Sequence, residues 1–262
     1  MLKVENIYKT FNPNTINEKK ALNGVSLTLN DGDFVTVIGS NGAGKSTLLN
    51  AIAGIWPIDD GKIMIDEHDI TKLKDFQRAK YIGRVFQDPM TGTAATMWIE
   101  ENMALAKRRG KKRGLKIGIE DKERQEYKEL LKQLDLGLEN RLTTKVGLLS
   151  GGQRQALTLL MATMQKPRLL LLDEHTAALD PKTANKVLEI TDKLIKENNL
   201  TTFMVTHNMK DALKYGNKII MMCDGKIIFE AEGEEKEKLT VKDLLDKFDT
   251  AGGVVSDSMM LG

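Results

Sequence analysis

At 262 residues and 29.2 kDa, the chain suits one or two lobes. A net charge of +2 selects no class of partner, and the single cysteine, Cys223, excludes an internal disulfide and fits a reducing compartment. The uncharged run at 156–164 is too short to cross a bilayer, and Met1-Leu2-Lys3-Val4-Glu5 alternates as a strand does, unlike a secretory leader.

Along the chain, residues 2–7, 21–29 and 62–65 read as strands separated by Gly/Asn/Asp turns, which predicts an antiparallel β subdomain. Between them Phe34-Val35-Thr36-Val37-Ile38 is an apolar, β-branched run expected as a buried strand. Gly39-Ser40-Asn41-Gly42-Ala43-Gly44-Lys45-Ser46 follows at once and fits G-x-x-x-x-G-K-[ST]. Residues 46–53 have helix-forming composition and close at Gly54. Strand, glycine loop and helix in that order make an anion site. The glycines let successive N–H groups converge on phosphate oxygens, and the helix turns its positive end to the same charge. Lys45 is expected to reach the β- and γ-phosphates and the Ser46 hydroxyl to bind Mg²⁺, with Thr47 beside them. A ligand-free Gly-rich turn is the bland alternative, and the flanking strand and helix weigh against it.

A helical insertion is expected over about 90–165. Tyr127, Leu130, Leu131 and Leu134 mark one apolar helix face there, with Gly137 as the stop. Residues 107–116 carry seven basic side chains in ten. A solvated loop is the plain reading and contact with an anionic membrane surface the second; without interleaved aromatics, no nucleic acid partner is expected. The α/β core resumes at Arg168. Leu169-Leu170-Leu171-Leu172 reads as a buried parallel strand that delivers Asp173 and Glu174 at its carboxyl end, where such sheets bind ligands. Asp173 is expected to hold the Mg²⁺ shell and Glu174 to act as general base on the attacking water. Residues 202–206 form another buried strand, and His207 at its end is placed to hold Glu174 and the water in line. His68 reads as a surface residue; His175 is expected to shape the site without doing chemistry. Asp180-Pro181 caps a helix whose buried face runs through Val187, Ile190, Thr191, Leu194 and Ile195. Asp224-Gly225 predicts a tight hairpin, residues 239–248 a short amphipathic helix, and residues 252–262 a mobile tail.

Leu149-Ser150-Gly151-Gly152-Gln153 completes an ordered set with the glycine loop and Asp173-Glu174. This set resembles the ATP-binding cassette (ABC) ATPases, over residues 2–230. The resemblance implies an α/β fold: a P-loop NTPase (RecA-like) core with an antiparallel β subdomain and an inserted α-helical subdomain. One ABC ATPase domain would then span 1–236, with a short C-terminal helix and tail at 237–262. It also implies that Ser150, Gly151, Gly152 and Gln153 contact the γ-phosphate held by a second subunit, so that two ATPs lie between two head-to-tail copies. Physically, Ser150 is a good N-cap for a helix running to about Gln165, with Pro167 just beyond. Gln87, in Val85-Phe86-Gln87-Asp88-Pro89, matches the glutamine that touches metal and attacking water. Asp180, in Ala178-Leu179-Asp180, matches the loop that crosses the dimer seam. Phe11 matches the aromatic that stacks on adenine, with Tyr8 as a competitor and a core role for Phe11 as the alternative. Two positions depart from the family pattern: His175 stands where proline commonly follows the glutamate, and Ala177-Ala178 where a serine is frequent.

The resemblance implies an ATPase subunit, cytoplasmic and peripheral on the inner face of the cell membrane, that drives a separate permease through a groove beside Gln87. Residues 90–101, with Met97 and Trp98, are the candidate contact, a core-packed helix start being the alternative. Gly92 to Met97, the basic run and Asp173-Glu174-His175-Thr176 resemble a bacterial subgroup whose ATPases accompany a solute-binding protein and a permease, some linked to aromatic amino acids. That points to import of a small solute such as an amino acid. The alternatives are a soluble ABC ATPase of the iron–sulfur-assembly type and an exporter subunit.

Overall fold

The computed structural model describes residues 1–111 and 118–250. Its strands are β1 (Leu2–Phe11), β2 (Lys19–Leu29), β3 (Phe34–Gly39), β4 (Asp60–Ile65), β5 (His68–Asp69), β6 (Ile82–Val85), β7 (Leu169–Asp173), β8 (Thr202–Val205), β9 (Lys218–Cys223) and β10 (Lys226–Glu232). Its helices are α1 (Lys45–Ala53), α2 (Asp75–Arg78), α3 (Ile99–Lys107), α4 (Asp121–Lys132), α5 (Gly151–Thr163), α6 (Pro181–Asn198), α7 (Met209–Lys214), α8 (Gly233–Glu237) and α9 (Val241–Thr250).

An antiparallel sheet of order β2-β1-β4-β5 forms the expected β subdomain. The first strand is longer than its opening alternation suggests. Leu2 and Val4 point inward, and then Asn6, at φ 47°, makes a bulge that returns the odd-numbered Ile7 to the buried face. The larger sheet has the order β10-β9-β3-β8-β7-β6, parallel except for the edge strand β10. Asp224 and Gly225 join β9 to β10 with φ of 46° and 72°, the left-handed pair that a two-residue hairpin needs.

Alternation along the parallel strands feeds two cores. Leu169, Leu171, Val35, Val37, Phe203 and Val205 pack with α1, whereas Leu170, Leu172 and Met204 pack with α5 and α6. These strands are therefore mostly apolar on both faces, with the buried hydroxyls of Thr36 and Thr202 satisfied by carbonyls. The expected face of α6 is buried at Val187, Ile190, Thr191, Leu194 and Ile195.

Within the 90–165 segment, α3, α4 and α5 pack together through Met103, Tyr127, Leu131 and Leu157. Helix α4 stops at Lys132, short of Gly137, because Asp135 turns left-handed at φ 53°; Leu134 stays buried past the helix end. Met97 is half-buried and Trp98 is 42% exposed. Asn102 knits this corner by accepting from the Ala94 N–H and donating to the carbonyls of Ala94 and Trp98. Of the basic run, Lys107 and Arg108 pair with Glu126 and Glu123, and Arg109 donates to the Ala162 carbonyl. Residues 112–116 of that run, and the tail expected at 252–262, lie outside the described residues. Leu244 and Phe248 of α9 are fully buried against Ile38, Met209 and Met221. Among the described residues no helix is long and apolar enough to cross a membrane.

Candidate functional site

The carboxyl ends of β3, β7 and β8 are adjacent in the sheet, so three loops distant in sequence open side by side. From β3 the glycine loop curls into α1. Gly44 has φ 103°, and a Cβ there would stand 2.5 Å from the Ala21 carbonyl, so only glycine fits. The loop is braced from behind by the β9–β10 turn: the Gly225 N–H donates to the Ala43 carbonyl at 3.0 Å, and the Gly225 carbonyl accepts from Asn23 at 2.9 Å. Lys45 arches back over the loop, its Nζ donating to the carbonyls of Gly39 at 2.6 Å and Ser40 at 3.1 Å. Burial pushes its pKa down, opposed by the nearby charges of Glu174 and Asp173.

Phe11, Lys19, Ala21, Asn41, Gly42, Ala43, Gly44, Lys45, Ser46, Thr47 and Glu174 line one cleft of about 450 Å³. Phe11 forms part of its wall, with Trp56 edge-on at 5.0 Å between ring centres. Tyr8, the competing aromatic, has its hydroxyl against Gly24 and does not line the cleft. Lys19 and Trp56 carry no motif that would single them out in sequence.

At the end of β7, Asp173 meets Arg84 of β6, whose Nη2 donates to Oδ2 at 3.2 Å. Burial raises the Asp173 pKa, with Arg84 pulling the other way. The Arg84 guanidinium stacks on Phe86 at 4.5 Å, and its Nε and Nη1 find no partner among the described residues. Gln87 and Asp173, with Ala178, line a second opening of about 400 Å³ next to the first. Glu174 has φ 45°, and its Oε1 lies 3.1 Å from Nδ1 of His207, two residues beyond β8. Glu174 and His207, together with Leu179 and Pro181 around Asp180, line a third recess of about 420 Å³. His175 is buried, its Nε2 is 3.0 Å from the Thr191 hydroxyl, and burial pushes its pKa down to about 4. His68 is exposed on β5.

The segment Ser150 to Gln153 stands apart from this cleft. Ser150 Oγ accepts from the Gln153 N–H and the Gln153 amide oxygen accepts from the Ser150 N–H, both at 3.2 Å. This reciprocal cap starts α5 and uses the Gln153 side chain locally. Gly152 is dictated by packing: a Cβ there would fall 2.2 Å from the Thr183 methyl on α6. Asp180 caps α6 by accepting from the Thr183 N–H at 3.1 Å. The sheet thus gathers the glycine loop, Asp173, Glu174, His207 and Gln87, while Ser150 to Gln153 line none of the three openings.

Fold and site define a P-loop nucleotide-binding ATPase with a RecA-like core. The ABC transporter family profile matches residues 22–177. Over 96% of this chain and the whole of the relative, it is 46% identical to a tyrosine transport ATP-binding protein of Clostridioides difficile. It is 31% identical to a phosphonates import ATP-binding protein of Lactococcus lactis over 94% of this chain and 98% of the relative. A solved dimeric ATP-binding cassette in a post-hydrolysis state, bound to ADP and Pi, superposes with a TM-score of 0.75 at 32% identity, covering 88% of this chain and 98% of that one. The chain belongs to the ABC transporter family, as an ATP-binding, ATP-hydrolysing transport subunit.

Proposed function

We propose that the chain pairs head to tail with a second copy around two ATPs and drives a separate membrane permease that imports a small solute, of the aromatic amino acid class. The observation that carries this reading is the end-to-end 46% identity to a protein named for tyrosine transport. In the proposed mechanism the N–H groups of residues 41–47 and Lys45 hold the phosphates, and Phe11 stacks on the base. Ser46, Gln87 and Asp173 offer a hydroxyl, an amide oxygen and a carboxylate, an all-oxygen set suited to a hard cation that the phosphates help to bind. Mg²⁺ there would neutralise charge developing on the transferred phosphoryl group. Glu174 orients and polarises the attacking water, and His207, in contact with the same carboxylate, fixes its direction.

Ser150, Gly151 and Gly152 form the amino end of α5 and do not line this chain's own cleft, which supports their use on a partner's γ-phosphate. Trp98, exposed at the start of α3 and held by the Asn102 contacts to Ala94 and Trp98, would offer the permease a surface that keeps the chain at the inner face of the membrane. A solute-binding protein would deliver the cargo to that permease.

The test is reconstitution in proteoliposomes with the multi-span protein encoded beside its gene and any adjacent binding protein. ATP-dependent uptake of labelled tyrosine, abolished by Glu174→Gln, is expected. Outward movement of solute would replace the import reading with export; failure to associate with any membrane protein would favour a soluble ABC ATPase.

A further inference from the structure

We propose that His175 is a positioning residue of the hydrolytic site: its imidazole donates Nε2–H to Thr191 and so braces the turn that aims Glu174. The direction of this hydrogen bond follows from the partners. Thr191 has one hydroxyl proton, and its Oγ1 lies 2.8 Å from the Val187 carbonyl, which can only accept. The hydroxyl therefore donates to Val187 and accepts from His175, whose Nε2 lies at 3.0 Å. Both side chains are sealed from solvent, at 2% and 0% exposure, so water cannot substitute for either.

The brace acts where the backbone needs one. Glu174 is a non-glycine residue at φ 45°, a left-handed conformation that persists only when its surroundings impose it. Upstream, its N–H donates to the Val205 carbonyl at 3.0 Å; downstream, its carbonyl accepts from the Ala177 N–H at 3.0 Å. Neither bond fixes the turn to the body of the protein on its far side. His175 does this by reaching α6 in mid-helix. Helix α6 begins at the Asp180 cap, so the same strut couples the direction of the Glu174 carboxylate to the position of the loop that carries Asp180. A side chain that merely filled the space would pack there without fixing this geometry.

The proposal rests on reading Glu174 as the general base, and the test separates the two. ATP turnover, KM and affinity for a fluorescent ATP analogue are measured on the full chain for His175→Ala, His175→Gln, Thr191→Val, Thr191→Ser and Glu174→Gln. His175→Ala and Thr191→Val are each expected to lower kcat at least tenfold with KM and analogue affinity within twofold, and the double variant to be no worse than either. Gln, which places an amide N–H near the position of Nε2, and Ser, which keeps the acceptor, are expected to hold kcat within threefold of the parent. In nitrogen-15 NMR of the unsubstituted protein at neutral pH, His175 is expected to carry its proton on Nε2. Full turnover in Thr191→Val, or a proton on Nδ1 instead, overturns the strut. If His175→Ala does not fold, Thr191→Val and the NMR signature decide. Normal turnover in Glu174→Gln overturns the base assignment and the strut with it; an inactive Glu174→Gln beside fully active His175→Ala and Thr191→Val overturns the strut alone.

Discussion

Replacing Arg78 by methionine tests how the far end of the phosphate-binding helix is held. Arg78 is 2% exposed, and its guanidinium donates to four carbonyls: Leu73 at 2.9 Å, Ala51 and Ile52 at 2.8 Å, and Thr71 at 2.9 Å. Ala51 and Ile52 belong to the last turn of α1, whose carbonyls have no N–H of their own helix to accept from and whose negative dipole end favours a cation. Methionine keeps most of the stem and removes every donor. The Ala51 carbonyl retains the Gly54 N–H, so three acceptors are left short, Ile52 buried and Leu73 and Thr71 partly buried. At ~1–3 kcal/mol for each, the gross loss is several kcal/mol. Part of it is recovered because the buried cation is itself costly, as its pKa, pushed down to about 10 by burial, attests. The net expectation is a destabilisation of about 3 kcal/mol, a large share of a domain's ~5–15 kcal/mol. Urea unfolding of the nucleotide-free protein measures it. ATP-analogue affinity of the folded variant should change less than threefold, because the phosphate contacts lie at the other end of α1. A loss below about 1 kcal/mol would refute the reasoning, since water would then be replacing the guanidinium.

Lys45→Ala should weaken ATP binding by about 100-fold, some 3 kcal/mol, through loss of a charge-assisted contact to the phosphates, as read by equilibrium titration. Ser150→Arg should leave ATP affinity within about twofold yet abolish turnover, because the residue lies outside this chain's own cleft; normal turnover would refute the shared-site arrangement. Lys236 is buried, donating to the carbonyls of Tyr215 and Gly216, and burial lowers its pKa to about 8. The unfolded chain then binds the extra proton between about 8 and the ordinary lysine value, so this group adds stability as pH rises through that window, by about 1 kcal/mol per unit, and loses it as pH falls through 8. Lys236→Met should flatten that rise in urea unfolding measured from pH 7.5 to 10; an unchanged slope would refute the assignment.

The phosphate loop was legible because its chemistry is local: eight successive residues contain the turn, the amides and the lysine, and the strand and helix beside them are equally continuous. Asp173, Glu174 and His207 were legible because apolar runs mark where strands end. What escaped are pairings between distant residues. Nothing in the sequence joins Arg84 to Asp173, Arg78 to the end of α1, or Asn102 to the segment at 94–98. His175 and Thr191 were each readable, one as a neighbour of the site and the other as part of a buried helix face, but their contact was not. Local geometry also intervened, in the bulge at Asn6 that shifts Ile7 inward and in the left-handed Asp135 that ends α4 early.

The position of β3 has a consequence for the order in which the molecule is made. This strand leads into the phosphate loop and emerges early from the ribosome, yet both of its sheet neighbours, β8 and β9, come from the last third of the chain. The hairpin that braces the loop is drawn from later residues still. A nascent chain that ends before Lys218 has the complete glycine motif but at most the β8 flank of its supporting strand, never β9, and loop closure over so long a span is slow. Competence to hold ATP is therefore acquired late in synthesis, and the nucleotide can reward only a chain that is nearly finished.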